Sequence, residues 1–241
     1  MLLRISEPWQ CGRGAAPEQG SHAGGAMISK SGASGGLTTH RIEAFSDGVF
    51  AIVMTLLVFE LRVPALGDRA SDLALLDALM HMWPKLLSFA LGFVIVGIFW
   101  VAHHNLFHLI KRSDRVFLWL NNLFLMCVAF VPFPTALMGE YVRIPIAVVP
   151  YGLTLIAAGL TLEILWRYAT HRRRLVDPEL EAEVVSLVGR RILVAPVVYA
   201  LAVAASIVSV KITLAAYALV PIYYILPGRV DRHLASRAHP R

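Results

Sequence analysis

The feature that most restricts this chain is a succession of apolar runs, each about as long as a bilayer's hydrocarbon core is deep. About 20 apolar residues are enough to cross that core, and the 241 residues hold six candidate spans. They cover roughly 42–62, 83–106, 116–138, 144–168, 191–210 and 212–226, the last being short and closed by Pro227-Gly228. Hydrocarbon offers the backbone no hydrogen-bond partner, so spans of this length are expected as helices whose bonds close internally. Composition agrees: 57% of residues are hydrophobic and 16% charged, against about 25% charged in soluble domains. The fold expected is all-α, a polytopic membrane protein with six transmembrane helices. Pro132, Pro150 and Pro196 fall inside spans, where neighbouring helices can satisfy the carbonyls they free.

The net charge of +6 has an explanation other than nucleic acid. If the N-terminus lies in the cytoplasm, only Arg62, Arg69, Lys85, Arg143 and Lys211 of the 22 basic residues fall in outer loops. That asymmetry predicts both termini inside. Residues 1–40, rich in Gly, Ser and Ala, read as a disordered tail with no signal-peptide core, and Met27 is a plausible translation start. The transmembrane domain is expected over 41–227, followed by a basic cytoplasmic tail over 228–241. Asp177-Pro178-Glu179 resembles an N-cap with proline and an acid in the first turn, predicting a short cytoplasmic helix through about Leu187.

Three polar clusters are expected at one depth. Ser46 and Asp47 open the first span, and Trp100-Val101-Ala102-His103-His104 closes the second. Asn121 and Asn122 lie one to two turns into the third. Such groups are costly in hydrocarbon unless they satisfy one another. The first reading is interhelical glue locking the first three helices; the alternative is the coupling site of a secondary or proton-coupled transporter. His104 and His108 are four apart, but no third ligand or HExxH-type pattern accompanies them, so no metal is expected. Cys11 and Cys127 form no disulfide or metal pattern. The chain has no G-x-S-x-G, zinc signature or phosphate-cradling loop, which argues against an enzyme and against a bound cofactor.

Ile52, Thr55, Leu56 and Phe59 recur at i, i+3, i+4 and i+7, sharing one helical face. By spacing alone this is ordinary helix packing as readily as anything else. At 100° per residue, Asp47 and Ser46 point about 140° and 120° away from Ile52 on opposite sides, so a pore-facing Ile52 would leave both turned toward the subunit's own helices.

Arg41-x-x-x-Phe45-Ser46-Asp47-Gly48, followed by Ala51-Ile52-x-x-Thr55-Leu56-Leu57, resembles the signature of the transmembrane-protein-175 potassium channel family. The likeness extends to Trp100-x-x-His103-His104-x-x-Phe107, and then to Arg115-x-x-x-Trp119-Leu120-Asn121-Asn122-x-Phe124 through Pro132-Phe133. The last three spans match only in hydropathy and number. The resemblance implies a bacterial, single-repeat homotetramer in the plasma membrane, with the first helix of each subunit lining a central pore. It implies a constriction at Ile52, Leu56 and Phe59, with Thr55 as a polar layer favouring potassium. It places Arg41, Phe45, Ser46, Asp47, Trp100, His103, His104 and Asn121 in the interhelical network. Glu60, one turn beyond Leu56, is a candidate for drawing cations to the outer mouth, or simply a snorkelling acid. No Thr-Val-Gly-Tyr-Gly run is present, so selectivity would rest on pore width and dehydration. The partners implied are potassium ions and the lipid bilayer, with a passive potassium-selective conductance as the function.

Overall fold

The computed structural model describes residues 39–67 and 71–226. The expected N-terminal tail, apart from its last two residues, the start at Met27, the stop at Pro227-Gly228 and the tail over 228–241 lie outside the described residues.

Eight α-helices follow one another: α1 (Thr39–Leu56), α2 (Asp72–His81), α3 (Trp83–Leu109), α4 (Arg115–Phe130), α5 (Pro132–Glu140), α6 (Pro145–Thr170), α7 (Ala182–Ala205) and α8 (Val210–Ile225). Five helical segments are long and apolar enough to cross a membrane, and α8, at 16 residues, is a sixth and shorter one. The all-α fold of about six membrane helices expected from the sequence is thus the fold observed.

Three local outcomes differ from expectation. The third span is broken into α4 and α5 at Val131, because Pro132 has no N–H to continue the ladder. Pro150 and Pro196 stand inside unbroken α6 and α7. No separate helix runs from Asp177 to Leu187. The Asp177 carboxylate accepts the Glu179 N–H in a turn, and α7 begins at Ala182 and continues through the whole span. Finally, the outer loop after the first span carries α2, started by the Ser71 side chain accepting the Ala74 N–H.

On α1, Ile42, Ser46, Phe50 and Val53 are buried, followed by Leu57. Spacings of four, four, three and four put them on one face, which packs against α3 and α4. α6 is the central helix of the other half, packed against α4, α5, α7 and α8. Its approach to α7 and α8 is close: a Cβ added to Gly152 would collide with the Tyr217 hydroxyl and Val203. The loops after α3 and α6 meet at one end of the bundle, where Ile110 and Val176 form an antiparallel bridge and the Leu175 carbonyl accepts N–H bonds from Lys111 and Arg112. The same end is tied by Asp114, which caps α4 at the Phe117 N–H (2.9 Å), accepts the Tyr168 hydroxyl (2.8 Å) and pairs with Arg174 (3.2 Å). Lys111, Arg112, Arg115, Arg172, Arg173 and Arg174 therefore gather at one end.

Candidate functional site

Two faces of α1 carry different chemistry. The buried face leads into a polar chain. The Ser46 hydroxyl donates to the Ile42 carbonyl (2.8 Å) and accepts from the Asn121 amide of α4 (3.1 Å). With that nitrogen turned to Ser46, the Asn121 carbonyl accepts from His103 Nε2 of α3 (2.9 Å), so the ring proton sits on Nε2. Ser46, His103 and Asn121 are all essentially solvent-free. His103 is packed by rings of Phe50, Phe107 and Phe124. Its Nδ1 is buried and has no hydrogen-bond partner among the described residues.

A second, more exposed branch joins the same helices nearer the surface. Trp100 Nε1 donates to the Asp47 carboxylate (2.9 Å), and the Trp100 ring stacks on His104. His104 Nδ1 lies 3.5 Å from Glu43 Oε1, and its Nε2 meets His108 Nε2 at 2.9 Å. Spacing alone did not pick out Glu43 for this branch, although the signal was there: it lies one turn before Asp47, so both acids face α3.

The expected network needs correction at its rim. Arg41 and Phe45 are exposed, Phe45 by 59%. Among the described residues, neither has a hydrogen bond or ion pair. Asn122, adjacent to Asn121 and so 100° around α4, is exposed as well. The network that forms contains Ser46, Asp47, Trp100, His103, His104 and Asn121. No group of three His, Cys, Asp or Glu side chains among the described residues could hold a metal ion.

The opposite face of α1 meets nothing within the subunit. Ile52 is 59% exposed, Leu56 44% and Phe59 73%, with Thr55 exposed between them. The Thr55 hydroxyl donates to the Ile52 carbonyl (2.8 Å), so its oxygen remains an outward acceptor. After Leu56 the helix tightens to 3₁₀ over Leu57–Glu60, so Phe59 and Glu60 leave the α-helical register the sequence suggested. Phe59 falls nearly above Leu56, because three residues make a full 3₁₀ turn. Glu60 ends this segment and is exposed. A helix fixed on one side by buried polar bonds thus presents an apolar file with one hydroxyl on the other.

Comparison with known proteins gives a consistent picture. The family model described as "Endosomal/lysosomal potassium channel TMEM175" matches residues 41–132. A protein named a potassium channel from Streptomyces collinus is 38% identical over 188 residues, spanning 76% of this chain and 90% of that one. Another so named, from Chamaesiphon minutus, is 37% identical over 191 residues, spanning 78% and 94%. The crystal structure described as a lysosomal potassium-selective channel TMEM175 homolog from Chamaesiphon minutus aligns with a TM-score of 0.70 at 36% identity. It covers 78% of this chain and 96% of that one.

Proposed function

The chain belongs to the TMEM175 family, and from that membership we propose that it is a passive potassium-selective channel. Four copies of α1 would surround the pore, with Ile52, Leu56 and Phe59 as its apolar neck. The observation that carries this reading is the exposed file of Ile52, Leu56 and Phe59 on the one helix whose other face is locked to α3 and α4. Rings of such side chains supply no oxygen ligands, so an ion passes hydrated or sheds water at a cost. Sodium holds its water more tightly than potassium, and a narrow apolar neck therefore penalises sodium more; the same neck can close by dewetting. Thr55, with its oxygen left as an acceptor, would be the polar layer inside the neck, and Glu60 would concentrate cations at the wider end. The basic loops support a cytoplasmic location for the end that carries Asp114 and His104, and hence for both termini. The resting place would be the bacterial plasma membrane.

Purified protein in potassium-loaded liposomes tests the proposal. Potassium efflux down its gradient is expected, falling steeply when sodium replaces potassium as the permeant ion. Equal sodium and potassium fluxes would remove the selectivity. Flux that saturates and demands a counter-ion gradient would point to a carrier using the Asp47, His103, His104 and Asn121 cluster instead.

A further inference from the structure

Away from α1, a cleft of about 610 Å³ opens between α3, α7 and α8, with Gly159 and Leu162 of α6 at its base. α1 contributes no residue to its lining. The walls are apolar over most of their depth, while polar groups collect at one end: Asn105 on α3, Arg191 on α7 and Tyr224 on α8. The Arg191 guanidinium lies 5.9 Å over the Tyr224 ring, and the Tyr224 hydroxyl donates to the Arg191 carbonyl (2.5 Å). This is the end of the bundle that carries the basic loops, since Asn105 stands one turn before α3 gives way to Lys111 and Arg112.

The dimensions identify an occupant. Along α3 the lining runs from Asn105 to Val94, and along α7 from Val188 to Tyr199. At 1.5 Å per residue each stretch is about 16 Å long, half of a hydrocarbon core about 30 Å thick. The slot is therefore one leaflet deep. Its cation sits at the depth where Arg190 and Arg191 begin the apolar part of α7, which is headgroup level. Water in such a slot would leave a large apolar surface hydrated, whereas an acyl chain covers it. An arginine at the mouth offers a planar fork that suits phosphate. Basic pockets between membrane helices on the cytoplasmic side are a known form of anionic-lipid site.

We propose that this cleft binds an anionic phospholipid of the leaflet on the basic side. One acyl chain lies between α3, α7 and α8, and the phosphate meets Arg191 with Asn105 as a second donor. Trp100 joins the site to the rest of the molecule: it lines the cleft and also donates to Asp47 on α1. The lipid site does not depend on ion conduction.

Native mass spectrometry of the intact protein in detergent, titrated with phosphatidylglycerol or phosphatidylcholine at equal concentration, is the test. Phosphatidylglycerol is expected to bind about tenfold more tightly, the margin of one charge-assisted contact. Arg191→Gln is expected to bring that ratio close to one, and Arg191→Lys to keep most of it. Val101→Trp, which adds bulk at a half-exposed position of the lining, is expected to weaken both lipids alike. The site is overturned if the wild type binds the two lipids equally, if Arg191→Gln leaves the preference intact, or if Val101→Trp leaves retention of both unchanged. Arg191→Lys keeps charge and bulk, so its result separates loss of the phosphate contact from loss of fold.

Discussion

Ile52 and Ser46 sit six residues apart on α1 and face opposite demands. Ser46 is buried and bound on both sides, whereas Ile52 has no partner within its own subunit. Replacing Ile52 by Asn would add amide oxygens to the proposed neck and relieve the dehydration penalty, so potassium preference over sodium is expected to fall severalfold. Reversal potentials in mixed potassium and sodium solutions measure it. An unchanged ratio would take Ile52 out of the constriction. At this scale the sequence was largely readable. A serine, an asparagine and a histidine placed at one depth by three consecutive spans have few ways to be satisfied other than by one another. What escaped was the rim, where Arg41 and Phe45 are free to face solvent, lipid or another subunit, and no burial cost dictates a choice.

At the scale of the helix, two joints are open to measurement. Gly152 of α6 lies against Tyr217 of α8 and Val203 of α7, with no room for a methyl group. Gly152→Ala is expected to cost about 1–3 kcal/mol by forcing these side chains aside, read as a lowered melting temperature in detergent. Gly48→Ala, where a Cβ would meet nothing within 4 Å in the subunit, is the control and should cost nothing unless a second protomer covers that face. The other joint is Asp114. Burial alone would raise its carboxyl, but the Phe117 N–H, the Tyr168 hydroxyl and the Arg174 guanidinium outweigh it and hold the group below the usual carboxylate value. A folded-state value below the unfolded one gives stability that is complete above the unfolded value and disappears as pH falls through the folded one. Thermal stability is therefore expected to drop on acidification below about pH 4, and to drop less in Asp114→Asn, which keeps a cap but no charge. Parallel pH profiles for the two proteins would refute this.

Helix boundaries were less legible than helix identities, for reasons particular to each. Asp177-Pro178-Glu179 has the composition of a helix start, yet the chain there is drawn across to the loop after α3 by the Leu175 carbonyl and the Ile110–Val176 bridge. Tertiary bonds outweigh a local cap of about 1 kcal/mol. α2 had a cap in Ser71-Asp72 but no span-length apolar run to draw notice.

For the molecule as a whole, the proposed pore requires several copies, because the face of α1 that bears Ile52 is the outside of a single subunit. Mass measurement in detergent is expected to give four protomers; a monomer at concentrations that support ion flux would end the pore proposal. The number of copies is not written in any one residue, since an apolar stripe toward lipid and one toward a symmetry axis are the same stripe in sequence.

The change of helix type after Leu56 has a geometric consequence for such an assembly. A 3₁₀ segment climbs about 2.0 Å per residue against 1.5 Å in an α-helix, and it stacks every third side chain. From Ile52 to Phe59 the obstacle becomes longer by about 1.5 Å, and its upper part straightens from a spiral staircase into a column. An ion climbing it would be without a full coat of water for a greater stretch of its journey.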